Sequence, residues 1–161
     1  MATRASLPSP ATLSPSEIYA GRRIFLIGGT GFLGKVMLSM LLHRFPELGR
    51  VYVMVRAPNA KESENRFWSS IVSSPPFEPL RERYGSELEA FIREKVRVVG
   101  GDVGDVNLGL SEDEAQAVAS DIDVILNGAG KVTFNPALDG ALRTNVTGTR
   151  NLIAFAKRMK R

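Results

Sequence analysis

A chain of 161 residues, 43% of them apolar and 24% charged, is the size of one domain and carries enough apolar material for a core. With no cysteine and a single histidine, His43, disulfides and thiolate zinc sites are excluded, and a reducing, cytoplasmic setting is the natural reading. The net charge of +4 is scattered along the chain without a nucleic-acid-binding module, and no apolar run approaches the roughly 20 residues of a membrane span.

Residues 1–17 are rich in Ser, Pro, Ala and Thr, lack an apolar period, and read as a flexible lead-in, with order expected from Ile18. Ile24 to Ile27 then run straight into Gly28, Gly31 and Gly34, after which Phe32, Leu33, Val36, Met37, Met40, Leu41 and Leu42 recur at helical spacing until Pro46. That order predicts strand, tight turn, helix. A short all-apolar run is what a parallel strand covered on both faces looks like. Glycine supplies turn dihedrals that other residues avoid and lets the backbone approach a ligand, while free amides and the dipole at a helix start attract phosphate. The stretch therefore reads as a dinucleotide-phosphate site. From Gly29 the same residues spell a Walker A loop up to its last position, but the Ser or Thr needed for Mg²⁺ is replaced by Val36. His43, in the last turn of the helix and far from the glycines, reads as a surface residue.

Val51 to Val55 form the expected second strand, and Arg56 follows directly. In a dinucleotide fold an acidic residue about 20 positions beyond the glycines holds the adenine ribose 2′-hydroxyl, whereas arginine there accommodates a 2′-phosphate. Arg56 thus points to NADPH rather than NADH; the alternative is a surface arginine at a strand end. Lys61 to Val72 reads as helix with Phe67, Trp68, Ile71 and Val72 on one face. Pro75, Pro76 and Pro79 break it, and Leu80 to Glu94 resumes with an interruption at Gly85. This crossover is long for a plain nucleotide-binding fold, and Trp68 and Phe77 read as packing residues.

Val96 to Val99 is the third strand, ended by Gly100, Gly101 and Asp102. The Asp102 carboxylate either accepts a hydrogen bond from the adenine amino group or caps a local turn. Ser111 to Glu114 is a capping box opening a short helix through Ala119. Asp121 to Leu126 is the fourth strand, followed by Asn127-Gly128-Ala129-Gly130. A last helix is expected from Ala137 to Met159, burying Leu138, Leu142, Val146, Leu152, Ile153, Phe155, Ala156 and Met159. Within it Asn145 is a poor helix former, either hydrogen-bonding a neighbouring backbone or facing solvent.

The set formed by Gly28 to Gly34, Arg56, Asp102-Val103, Asn127 to Gly130 and Asn145-Val146-Thr147-Gly148-Thr149 resembles the extended short-chain dehydrogenase/reductases. More narrowly, Tyr19-Ala20-Gly21, the Gly-Thr-Gly-Phe-Leu-Gly-Lys turn, Val53 to Arg56, Gly101 to Val103, Asn107 to Ser111 and Val132-Thr133-Phe134 resemble the fatty acyl-CoA reductases of the male-sterility type. The resemblance implies NADPH-dependent reduction of a long-chain fatty acyl-CoA to aldehyde or alcohol. It implies Gly28, Thr30, Gly31, Phe32, Leu33 and Gly34 at the pyrophosphate, Arg56 at the 2′-phosphate and Asp102 and Val103 at adenine. Ala129, Gly130 and Lys131 would flank the nicotinamide ribose. Two departures stand out: Ile27 replaces the family's usual Thr, and Asn127-Gly128-Ala129-Gly130 replaces a His-Ser-Ala-Ala type segment.

Hydride transfer to a carbonyl needs an acid for the developing oxyanion, and the superfamily uses Tyr-x-x-x-Lys. Four positions after Tyr19, Tyr52 and Tyr84 stand Arg23, Arg56 and Leu88, so no catalytic residue is expected here. Residues 18–161 are accordingly expected to be the N-terminal part of an NAD(P)-binding Rossmann domain. The fold class is α/β, a doubly wound parallel sheet, incomplete, with its first four strands in the order 3-2-1-4, inactive without a C-terminal portion. Alternatives are a thioester reductase module acting on carrier-protein-bound acyl chains and a non-catalytic NADP-binding module.

Overall fold

A computed structural model describes residues 14–159. The first helix, α1 (Pro15–Tyr19), begins inside the stretch expected to lack structure, because a proline's fixed φ suits the first turn of a helix; the rest of that stretch, residues 1–13, lies outside the described residues. Strand β1 (Arg23–Ile27) leads through the glycine turn into α2 (Phe32–Arg44), and β2 (Arg50–Val55) follows. The crossover to β3 (Val96–Gly100) runs through α3 (Ala60–Arg66), a π-helical turn (Phe67–Val72), a 3₁₀ turn (Pro75–Phe77), α4 (Glu78–Tyr84), a second 3₁₀ turn (Gly85–Glu87) and α5 (Leu88–Lys95). After β3 come the turn Val106–Gly109, α6 (Glu112–Asp121), β4 (Val124–Asn127), α7 (Leu138–Ala141), a second π-helical turn (Leu142–Thr147) and α8 (Gly148–Ala156).

All four strands are parallel, in the order β3-β2-β1-β4. Successive side chains of a strand point to opposite faces, and β1 uses both. Ile24 and Leu26 pack with Leu38, Leu42, Phe67, Ile71, Phe77 and Ile92 on the side of α2 and the crossover helices. Phe25 and Ile27 pack with Tyr52, Met54, Val118, Leu152 and Phe155 on the side of α6 and α8. A strand with helices on both faces has no polar side, which is why β1 reads as an unbroken apolar run. The crossover behaves as packing material: Phe77 is buried, and Trp68 is half-buried under the Arg93 guanidinium. No described helix is long and apolar enough to cross a membrane.

Three expectations need correction. The fourth strand begins at Val124, not Asp121, because α6 runs on to Asp121, whose carboxylate takes hydrogen bonds from the Tyr52 hydroxyl and the Arg23 guanidinium. Asp123 accepts from the Arg23 amide at 2.8 Å and ties the entry of β4 to β1. The crossover helix expected over 61–72 gives way to a π-helical turn at Phe67.

The last helix is not one element with one buried face. It widens into the π-helical turn at Leu142, and Leu152 and Phe155 are buried while Leu138, Leu142, Val146 and Ile153 stay exposed. Helical period marks an apolar face, but burial needs a partner, and among the described residues the sheet and α6 reach only the C-terminal half.

Candidate functional site

In a parallel sheet every strand delivers its following loop to the same edge, and ligands bind where successive crossovers leave the sheet in opposite directions. Here that point lies between β1 and β4. The cleft there is lined by Gly28, Thr30 and Gly31 after β1, Arg56 after β2, Gly101, Asp102 and Val103 after β3, and Gly128, Ala129 and Gly130 after β4. Loops from all four strands thus converge, as the spacing of the motifs requires.

The glycines of the first turn answer to measurable constraints. Gly28 has φ +86°, and a Cβ there would lie 2.5 Å from the Gly128 carbonyl carbon and 2.6 Å from the Ala129 amide nitrogen. A Cβ at Gly34 would lie 2.2 Å from the Gly28 carbonyl oxygen. The turn is therefore pressed against the β4 loop on one side and against α2 on the other. The Lys35 amide donates to the Gly31 carbonyl at 3.0 Å, so the amides of Phe32, Leu33 and Gly34 precede the first intrahelical bond of α2.

Not every expected site residue turns its side chain into the cleft. Phe32 and Leu33 are exposed on the outer side of α2, where Phe32 faces the prolines of the crossover and Leu33 faces Tyr19 and Leu126. Only their backbone can serve the turn. Lys131 is exposed too, but its backbone is held at both ends: its amide donates to Asn145 Oδ1 at 2.8 Å, and its carbonyl accepts from Asn145 Nδ2 at 3.1 Å. This decides between the two readings of Asn145. Its side chain leaves the helix to pin the loop after β4.

The far end of the cleft is charged. Arg56 has a side chain 71% exposed and one long contact, Nη1 to Asp102 Oδ2 at 3.4 Å. Asp102 is only 16% exposed and engaged through both oxygens: Oδ1 accepts the Gly104 amide at 2.8 Å, and Oδ2 also faces Arg143 Nη1 at 3.2 Å. The turn-capping reading of Asp102 is thus realised in the fold. Burial pushes its carboxyl up, yet the Gly104 amide and the Arg143 and Arg56 guanidiniums outweigh burial and hold it below the ordinary value of 3.8. A depressed folded-state value contributes stability that is complete above the unfolded value and fades as pH falls through the folded one. On acidification below about pH 4 the protein should therefore lose stability, and Asp102→Asn should lose less over that range in urea denaturation.

Motif reading missed two lining residues, Arg66 and Thr144. Arg66 carried no motif signal; α3 brings it back over the end of β2, where its Nη1 donates to the Arg56 carbonyl at 2.7 Å. Thr144 enters from the π-helical turn one position before Asn145. None of the three tyrosines lines the cleft. Tyr19 packs on Phe45 and Tyr84 stacks on Phe91. Tyr52 turns its hydroxyl to Asp121, away from the glycine turn, and burial together with that carboxylate pushes it above its ordinary value of 10.0.

Among curated proteins, the chain is 33% identical to fatty acyl-CoA reductase 2, chloroplastic, of Arabidopsis thaliana over 141 residues, covering 88% of this chain and 23% of that protein. It is 36% identical to fatty acyl-CoA reductase 1 of Mus musculus over 148 residues, covering 92% of this chain and 28% of that protein. The chain therefore spans about a quarter of the length of these relatives. Among solved structures, the terminal R domain from the myxalamid PKS-NRPS biosynthetic pathway superposes with a TM-score of 0.69 at 33% identity, covering 88% of this chain and 33% of that one. The reductase (R) domain of a nonribosomal peptide synthetase from Mycobacterium tuberculosis gives 0.67 at 31%, covering 87% and 31%. The family model described as male sterility protein, an NAD-binding type, matches residues 26–161. With its four-stranded parallel sheet, its glycine turn at the switch point and these relatives, this chain belongs to the male sterility protein family of NAD(P)-binding reductase folds.

Proposed function

We propose that these residues form the NADPH-binding part of a fatty acyl-CoA reductase that acts on a long-chain acyl thioester. The observation that carries the reading is the cleft itself: a glycine turn with no room for a Cβ at Gly28 or Gly34 at one end and an exposed guanidinium, Arg56, at the other. The donor set fits a phosphorylated dinucleotide. Amides ahead of the first bond of α2 suit a pyrophosphate, with Gly28, Thr30, Gly31, Phe32, Leu33 and Gly34 around it. The Arg56 guanidinium suits a 2′-phosphate, which it can bind bidentately. Asp102 and Val103 would hold adenine, and Ala129, Gly130 and Lys131 would flank the nicotinamide ribose, their loop fixed by Asn145.

When bound, NADPH supplies the hydride that reduces the thioester carbonyl. The residues described here bind and orient; with every tyrosine turned away from the cleft, we assign none of them as the proton donor and place that acid in a C-terminal portion. The cysteine-free composition fits work in the reducing cytoplasm.

A second reading, reduction of an acyl chain held on a carrier protein, is favoured by the two R domains at 31–33% identity. In a binding assay with the full-length protein, 2′,5′-ADP should compete with NADPH and 5′-AMP should compete about tenfold or more weakly. Acyl-CoA and acyl-carrier-protein substrates are then compared by NADPH oxidation. Preference for the carrier-bound chain selects the second reading; NADPH binding with no oxidation of either substrate selects a non-catalytic module.

A further inference from the structure

Asp102 Oδ2 lies between two guanidiniums from different parts of the fold, Arg143 at 3.2 Å and Arg56 at 3.4 Å. Arg143 also reaches Asp105, with Nη2 at 2.7 Å from Oδ1. It lies over Gly104, where a Cβ would come within 2.8 Å of the Arg143 Cγ and Cζ, so a side chain at that position would displace it. The same helical stretch grips the loop again through Asn151, which donates to the Val103 and Asp105 carbonyls at 3.0 and 2.9 Å. Arg143, 46% exposed and with two carboxylate partners, is held more firmly than Arg56, 71% exposed and with one long contact.

We infer that Arg143 is a specificity-determining residue: as the standing counter-ion of Asp102, it leaves the charge of Arg56 available to a 2′-phosphate. This rests on the proposed role of Arg56. A carboxylate beside the phosphate subsite opposes a phosphorylated ligand in two ways. It repels the phosphate directly, and it competes for Arg56, whose guanidinium lies 3.4 Å away. Arg143 offsets both effects at the same carboxylate oxygen, while Asp105 gives it a second anchor. Two further carboxylates near Arg56 are engaged elsewhere: Glu114 by the Ser111 hydroxyl and amide, and Glu62 by the Asn59 side-chain amide. Without Arg143, Asp102 would have Arg56 as its remaining guanidinium, and the pair at 3.4 Å would close.

The test compares calorimetric dissociation constants for NADPH and NADH in the full-length protein and its variants. Arg143→Gln keeps a polar donor and removes the charge; it should weaken NADPH about tenfold and NADH by less than about twofold. Adding Asp102→Asn to it should restore most of the NADPH-to-NADH ratio, since adenine contacts affect both cofactors alike. Arg143→Lys, which keeps the charge and serves if the Gln variant does not fold, should hold the ratio. Equal weakening of both cofactors, an unchanged ratio in Arg143→Gln, or a lost ratio in Arg143→Lys would overturn the inference. Arg56→Gln separates it from the reading beneath it. If that variant loses the preference while Arg143→Gln keeps it, the inference fails and the Arg56 assignment stands. If the unaltered protein shows no preference for NADPH, the assignment fails first and the inference with it.

Discussion

Gly28→Ala should abolish dinucleotide binding and destabilise the fold by about 3 kcal/mol, more than any other single methyl added to the cleft loops. Two independent penalties meet at this residue. Its φ of +86° is one that a Cβ-bearing residue adopts only under strain, and the added methyl would press into the Gly128 carbonyl carbon at 2.5 Å. Neither neighbour is the tip of a flexible side chain; both are backbone, so relief means moving β1's turn away from the loop after β4. That movement opens the switch point where the cleft lies. Gly34→Ala should act in the same direction, since its Cβ would meet the Gly28 carbonyl oxygen at 2.2 Å. Gly130→Ala is the control: its nearest contacts would be ordinary, 3.7 Å to Asn145 Oδ1 and 3.8 Å to a Val132 methyl, and stability should change by less than about 0.5 kcal/mol. Urea denaturation with parallel cofactor titration checks all three. A Gly28→Ala protein with unchanged stability and binding would show that the turn does not have this geometry.

Arg56→Asp should weaken NADPH by about 100-fold while leaving NADH within a few fold, because a charge-assisted bidentate contact is replaced by like-charge repulsion against the 2′-phosphate alone. The structure makes the guanidinium available: it is largely exposed and has a single long ion pair to Asp102. The new carboxylate would stand where dinucleotide-binding folds place the acid that holds a ribose 2′-hydroxyl, which is why NADH need not suffer. Titration of both cofactors decides it. Equal losses would mean that Arg56 supports the strand end and does not read the ribose.

Asn145 and Asp102 illustrate two kinds of ambiguity that the fold removed. Asn145 was conspicuous as a poor helix former in mid-helix, yet nothing local named its partner; folding supplied Lys131, 14 positions earlier, as donor and acceptor. Asp102 was placed on the ligand edge by its position after β3, and the fold shows that it also caps Gly104 and shares two arginines. The expected apolar face of the last helix was half misleading for a related reason: period reports what a face is made of, and not whether anything packs against it.

What the chain determines by itself is written at short range. An apolar run ending in glycines, an arginine directly after the second run and a capping box at Ser111 each depend on neighbours within a few positions. Parallel connections of one hand then leave few ways to order four such strands. What only the tertiary structure decides is pairing across long separations: Arg143 on Asp102, 41 positions away, Arg66 folded back onto Arg56, and the Gly28 turn pressed on Gly128. Charged and polar side chains have many possible partners in a linear chain, and only packing of the sheet and helices brings one within hydrogen-bond reach and excludes the others.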